Sequence, residues 1–281
     1  MVRAIGGGGR RWRLCWLLAA IGWLLVEPTL AAPQRWISLS PHITELVFAA
    51  GAGDWLVGVA EHSDYPPAAR AIPRVGGHGG LDYERILALR PDLVLAWPSG
   101  TGSRVMERLR ALGLKLETSE PHSLSAIADD LERIGQLGPD PAIARQRAEQ
   151  LRQRIIRLQR RHHLLRPVRV FYQIWDRPLM SINGEHILNQ AIELCGGLNP
   201  FAELTTLTPH LSREAVLLSQ PELVLLPVAE ELAQRWQADW QRLPASADWQ
   251  FAQLAPDLLQ RPTPRMLDGV EQLCRALERV R

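Results

Sequence analysis

Residues 81–95 and residues 211–225 are two copies of one pattern, 130 positions apart. The first reads Leu81-Asp82-Tyr83-Glu84-Arg85-Ile86-Leu87, then Pro91-Asp92-Leu93-Val94-Leu95. The second reads Leu211-Ser212-Arg213-Glu214-Ala215-Val216-Leu217, then Pro221-Glu222-Leu223-Val224-Leu225. Seven apolar or proline positions match without a gap, and so does the glutamate. Each copy reads as a short helix, a proline-led turn and a buried parallel strand. A repeated unit of this kind requires two related halves. Between the copies, residues 142–165 contain no Gly or Pro, and Leu151, Ile155, Ile156 and Leu158 recur among Arg and Gln. That spacing predicts an amphipathic helix of about 24 residues, about 36 Å long at 1.5 Å per residue. Strand and helix signals alternate on both sides of it, which argues α/β architecture with mainly parallel sheets. The expected fold is two similar lobes joined by a single long rigid helix, with a ligand cleft between the lobes.

The N-terminal segment is expected to lie outside this fold. Arg3, Arg10, Arg11 and Arg13 precede an apolar run from Leu14 to Val26, and Thr29-Leu30-Ala31 supplies small residues at a cleavage point. This is the signature of a secretory signal peptide, residues 1–31. Thirteen apolar residues fall short of the roughly 20 that span a bilayer, which weighs against a retained anchor. The organisation expected is then an N-terminal lobe at 32–140, a connecting helix at 141–166 and a C-terminal lobe at 167–281. Cleavage leaves 28 basic against 29 acidic residues. Such balance argues against nucleic acid as a partner, which calls for a clustered positive excess. Cleavage also removes Cys15 and leaves Cys195 and Cys274, an even pair in an exported chain. A disulfide and two buried free thiols are both open on the residues alone.

Glu84 and Glu214 each fall in the first turn of a helix. There a carboxylate is favoured by the helix dipole and by free N–H groups. The alternative is a pair of pseudo-symmetric surface carboxylates that dock on arginines of a two-fold partner. The charge run of the long helix and the pair His162-His163 read as a solvated face. Trp236, Trp240 and Trp249 read as core-facing. The sequence has no nucleophile–base spacing, phosphate loop or His-x-x-x-His pattern, so an enzyme, such as a tetrapyrrole metal chelatase of related two-lobed architecture, is the rival class and not the expectation.

Taken together, several motifs carry a resemblance. They are Ile37-Ser38-Leu39-Ser40-Pro41 with Thr44-Glu45-Leu46, Ser63-Asp64-Tyr65-Pro66-Pro67, the two repeat copies, Trp97, Cys195-Gly196-Gly197 with Asn199, and Pro264-Arg265. The chain resembles the periplasmic binding proteins of the cobalamin, haem and ferric-siderophore ABC importers, over nearly all of its length after residue 31. The resemblance implies a periplasmic protein that is a monomer when free, does no chemistry and needs no cofactor. It implies capture of cobalamin, with haem or a ferric siderophore as the alternative ligand, and delivery to an inner-membrane ABC permease. It assigns Glu84 and Glu214 to permease docking and Cys195 with Cys274 to a disulfide. Trp97 becomes an aromatic wall of the cleft, and Asp257 and Arg261 become polar contacts to the ligand. Trp175, in the segment after the second lobe's first strand, is expected as a second wall.

Two positions depart from the family pattern. His62 stands where a member of the family carries tyrosine, and His78, inside Gly76-Gly77-His78-Gly79-Gly80, where it carries tryptophan. Either ring can pack on a planar ligand. Histidine also ligates cobalt and haem iron, so either is a candidate axial ligand.

Overall fold

The structure is a computed structural model, and it describes residues 34–77 and 79–281. The expected signal peptide lies outside the described residues, and so does His78. Four short strands come first: β1 (Trp36–Ser38), β2 (Leu56–Val59), β3 (Leu93–Ala96) and β4 (Leu116–Thr118). They form one sheet in the order β2-β1-β3-β4, every pair parallel. Four more follow: β5 (Val168–Tyr172), β6 (Gly197–Leu198), β7 (Leu223–Leu226) and β8 (Gln250–Gln253). Their order is β6-β5-β7-β8, again all parallel. The two orders are equivalent. The strands of the two repeat copies, β3 and β7, occupy the same inner position in their sheets, and all four residues of each are buried. Strands buried on both faces are continuous apolar runs, which is why Leu-Val-Leu is the conspicuous part of the repeat.

Helix α1 (Pro41–Ala49) starts directly after β1, with Ser40 as its N-cap accepting from the Ile43 N–H. Helix α2 (Leu124–Leu137) leads into α3 (Pro141–His162), the connecting helix. Asp140 caps α3 by accepting from the Ala142 N–H, and Pro141 sits where its missing N–H costs nothing. The helix has 22 residues and stops at His162, three residues before the expected end. Its buried stripe is Ala144, Ala148 and Leu151, while Ile156 is exposed. The small residues matter because α2 crosses closely here: a Cβ on Gly135 would lie 2.0 Å from that of Ala144. One apolar core runs from Trp36, Ile43 and Leu46 of the first lobe, through Ile127, Leu131 and Ala148, to Val168, Leu225 and Leu273 of the second. A helix built into a shared core in this way resists bending between lobes.

His162 corrects an expectation. It is buried at 1% exposure rather than solvated, with Nδ1 at 2.8 Å from the Leu158 carbonyl and Nε2 at 3.1 Å from Glu278. An acceptor stands beside each ring nitrogen, the Leu158 carbonyl on α3 itself and the Glu278 carboxylate on α4 (Met266–Val280), which makes that burial tolerable. His163 is exposed as expected. Trp236, Trp240 and Trp249 are all core residues, and Trp240 Nε1 donates to the buried Gln173 at 2.8 Å. Cys195 and Cys274 form a disulfide that joins the end of the helix Ile187–Leu194 to α4.

Candidate functional site

In open parallel sheets, ligands bind beyond the carboxyl ends of the strands. Both sheets here turn those ends toward a single cleft of about 830 Å³. His42 follows β1, Trp97 follows β3, and Glu120 and His122 follow β4. From the other lobe, Tyr172 ends β5, Trp175 lies just beyond it, Pro227 to Ala229 follow β7, and Asp257 to Arg261 follow β8. The wall is mostly apolar with a few convergent polar groups, which is the usual make-up of a small-molecule site.

Trp97 is held in place by its surroundings. Its Nε1 donates to Glu120 at 3.2 Å, and its backbone N–H donates to Thr101 Oγ1 at 3.1 Å. Gly100 is required beneath it, since a Cβ there would meet the indole at 2.1 Å. The His42 ring stands edge-on to Trp97, with centroids 5.3 Å apart. Trp175 sits on the hairpin Trp175–Asp176 and Leu179–Met180, half exposed, with Nε1 donating to the Arg177 carbonyl. Asp257 is a largely exposed carboxylate 3.4 Å from Arg261.

Arg261 has its own commitments. Its guanidinium donates to Asp64 at 2.7 Å and to Glu45 at 3.0 Å, both from the first lobe. Burial works against the charged form of Asp64, but the hydrogen bond and charge of Arg261 outweigh it and hold this carboxyl below its ordinary value. His62 is not part of the cleft lining. Its ring is exposed, and its backbone, in the left-handed region at φ +63°, turns the carbonyl to accept from Arg261 at 3.3 Å. Histidine is among the residues that adopt this conformation more readily than most. What the structure puts near the cleft at this position is therefore the peptide oxygen.

Sequence reasoning gave no role to Glu45. It is 3% exposed and accepts four hydrogen bonds from the other lobe: two from Arg265 (2.9 and 2.7 Å), one from Arg261 and one from Thr263 Oγ1 (3.1 Å). Arg265 is stacked on Tyr65, 3.5 Å from the ring centroid. The signal was present: Glu45 is the one charged residue in the mostly apolar stretch from Ile43 to Ala50. Its partners, more than 200 residues away, are not visible in sequence. Nor did spacing find the cleft's histidines, His42, His122 and His186. Burial pushes His42 and His186 each down to about 4. His186 is thus neutral at pH 7, and its Nδ1 accepts the Leu188 N–H that starts the helix Ile187–Leu194.

Glu84 and Glu214 are exposed at matching sites, each in the first turn of its repeat helix. The caps of these helices are other residues, Asp82 and Ser212, which accept from Arg85 and Ala215 N–H groups. The Glu214 carboxyl is held below the usual range by its own backbone N–H and by the Ser212 hydroxyl. Among the described residues no helix is long and apolar enough to cross a membrane.

Comparison with known proteins agrees with this architecture. A family model described as "Periplasmic binding protein" matches residues 37–257. The Vitamin B12-binding protein of Vibrio cholerae serotype O1 is 38% identical over 266 residues, 93% of this chain and 96% of that one. Among solved structures, the periplasmic vitamin B12 binding protein BtuF of Vibrio cholerae aligns with a TM-score of 0.79 at 38% identity, over 88% of this chain and 97% of that one. The periplasmic heme-binding protein RhuT from Roseiflexus sp. RS-1 aligns at 0.76 and 26% identity, over 89% and 99%.

Proposed function

The chain belongs to the periplasmic binding protein family, and from that premise we propose that it captures cobalamin in the periplasm and delivers it to an inner-membrane ABC permease. The observation that carries the ligand assignment is the cleft at the carboxyl ends of both sheets. Its volume suits a macrocycle rather than a single ion, and Trp97 and Trp175 stand on opposite lobes to stack on a planar ring. Asp257, exposed at the cleft, is free to accept from the amide side chains of a corrin. Arg261 joins it by exchanging a lobe-to-lobe contact for a ligand contact. The protein's part is binding and release, with no reaction at the ligand. Haem is the second reading, supported by the likeness to a heme-binding structure and by the presence of His122 among the residues that line the cleft.

Delivery rests on Glu84 and Glu214. Two exposed carboxylates, one on each lobe at equivalent points of a repeat, match what two arginine sites on a two-fold partner would engage. The variant Glu84→Arg/Glu214→Arg is expected to bind cyanocobalamin as the parent does. In cells that depend on it, corrinoid uptake should fall by more than about tenfold, because like charges then face each other at the interface. Uptake at the parental level would reduce the two glutamates to helix-terminus residues. Failure of both proteins to retain cyanocobalamin would refute the ligand assignment.

A further inference from the structure

Among the described residues, four buried side-chain nitrogen or oxygen atoms have no hydrogen-bond partner, and two of them, His42 Nε2 and Tyr172 Oη, belong to residues that line the cleft. One comes from each lobe. His42 lies in the first turn of α1, just after β1, and Tyr172 is the last residue of β5. A buried polar group left unpaired costs about 1–3 kcal/mol, and native proteins carry few of them. Two in one cavity call for a common reason.

The hydrogen-bond inventory fixes what each offers. Ser40 Oγ already accepts the Ile43 N–H, and the one acceptor within its reach is His42 Nδ1 at 3.0 Å. The hydroxyl proton is satisfied if it goes to Nδ1, which leaves the ring proton on Nε2. His42 then presents an N–H donor. Burial keeps the ring neutral at pH 7, and although the Ser119 backbone favours its protonation, it does not meet hydrogen-bond geometry with Nε2. Tyr172 is 1% exposed and keeps its phenol proton, since burial pushes its titration up, so its hydroxyl is a second donor. Both atoms are shielded from solvent, within residues that line the cleft.

We propose that His42 and Tyr172 are a ligand-reading pair, one from each lobe, that donates hydrogen bonds to carboxamide oxygens on the rim of the corrin ring. The assignment rests on the cobalamin reading and deepens it. It gives the cleft a means of recognising the polar edge of the macrocycle, where Trp97 and Trp175 recognise its face.

Tyr172→Phe removes one oxygen and preserves the ring. His42→Phe removes the donor, and His42→Gln returns an amide N–H near the position of Nε2. Calorimetric titration with cyanocobalamin and with dicyanocobinamide, which shares the corrin amides but lacks the nucleotide loop, separates the possibilities. Tyr172→Phe and His42→Phe are each expected to weaken both corrinoids by about five- to tenfold, with partial recovery in His42→Gln. The unliganded Tyr172→Phe protein should melt no lower than the parent, because it loses only an unpaired hydroxyl. Affinities within twofold of the parent for both variants would overturn the assignment, as would a loss confined to cyanocobalamin, which would move the contact to the nucleotide loop. A parent protein that binds neither corrinoid would overturn the cobalamin reading and this pair with it.

Discussion

Replacing both cysteines, Cys195→Ala/Cys274→Ala, lowers the stability of the protein by about 4–5 kcal/mol. The bond closes a loop with a sequence separation of 79 residues, and the entropy lost by the unfolded chain on such closure is worth about 4.5 kcal/mol at 25 °C. It also fastens two elements that meet nowhere near each other in sequence, the helix Ile187–Leu194 and α4, with both cysteines buried. Calorimetry of the double variant should show the melting temperature about 10–15 °C below that of the oxidised parent, at roughly 2–4 °C per kcal/mol for a chain of this size. Reductant should lower the parent by a similar amount and leave the variant unchanged. A fall of less than about 3 °C would mean that the bond constrains little the fold does not already hold.

Glu45→Ala is expected to cost about 3–5 kcal/mol, the range for breaking a buried ion pair by removing one partner. The carboxylate is almost fully buried, and its loss leaves Arg265 and Arg261, themselves only 22% and 14% exposed, without the charge they surround. Glu45→Gln should recover part of the loss, since the amide oxygen can still accept, but its NH2 group then faces a guanidinium. The effect reaches the cleft as well. Arg261 retains Asp64 and Asp257 as partners, so it stays at the lobe boundary but loses one of its two first-lobe carboxylates, and cyanocobalamin affinity changes with stability. Urea unfolding measures the first effect. An unfolding free energy within about 1 kcal/mol of the parent would show that the cluster contributes little to holding the lobes together.

The parts of the fold that can be read in the sequence are those with a local pattern. The repeat predicted two related halves because Leu-Val-Leu after a proline-led turn reads as a buried strand in both copies, and β3 and β7 hold the same place in each sheet. The absence of Gly and Pro predicted α3, and its N-terminus lies where Asp140-Pro141 puts it. The end of α3 and its buried face were harder to read. Ala144 and Ala148 are buried because Gly135 lets another helix approach, a fact about the neighbour and not about α3. His162 was misread for the same reason: Glu278, which makes its burial tolerable, is 116 residues away. At the cleft, Trp97, Trp175, Asp257 and Arg261 were legible by resemblance, and all four line it. Glu45, His42 and Tyr172 were not. Their significance lies in pairing, or the lack of it, across two lobes that only the folded chain brings together.

The central claim, that this cleft takes a corrinoid, is tested most directly by calorimetric titration of the purified protein, residues 32–281, with cyanocobalamin and with hemin under the same conditions. One-to-one binding of cyanocobalamin, undisturbed by an equal concentration of hemin, is the predicted result. Saturable binding of hemin with no heat from cyanocobalamin would contradict it and make the protein a haem carrier.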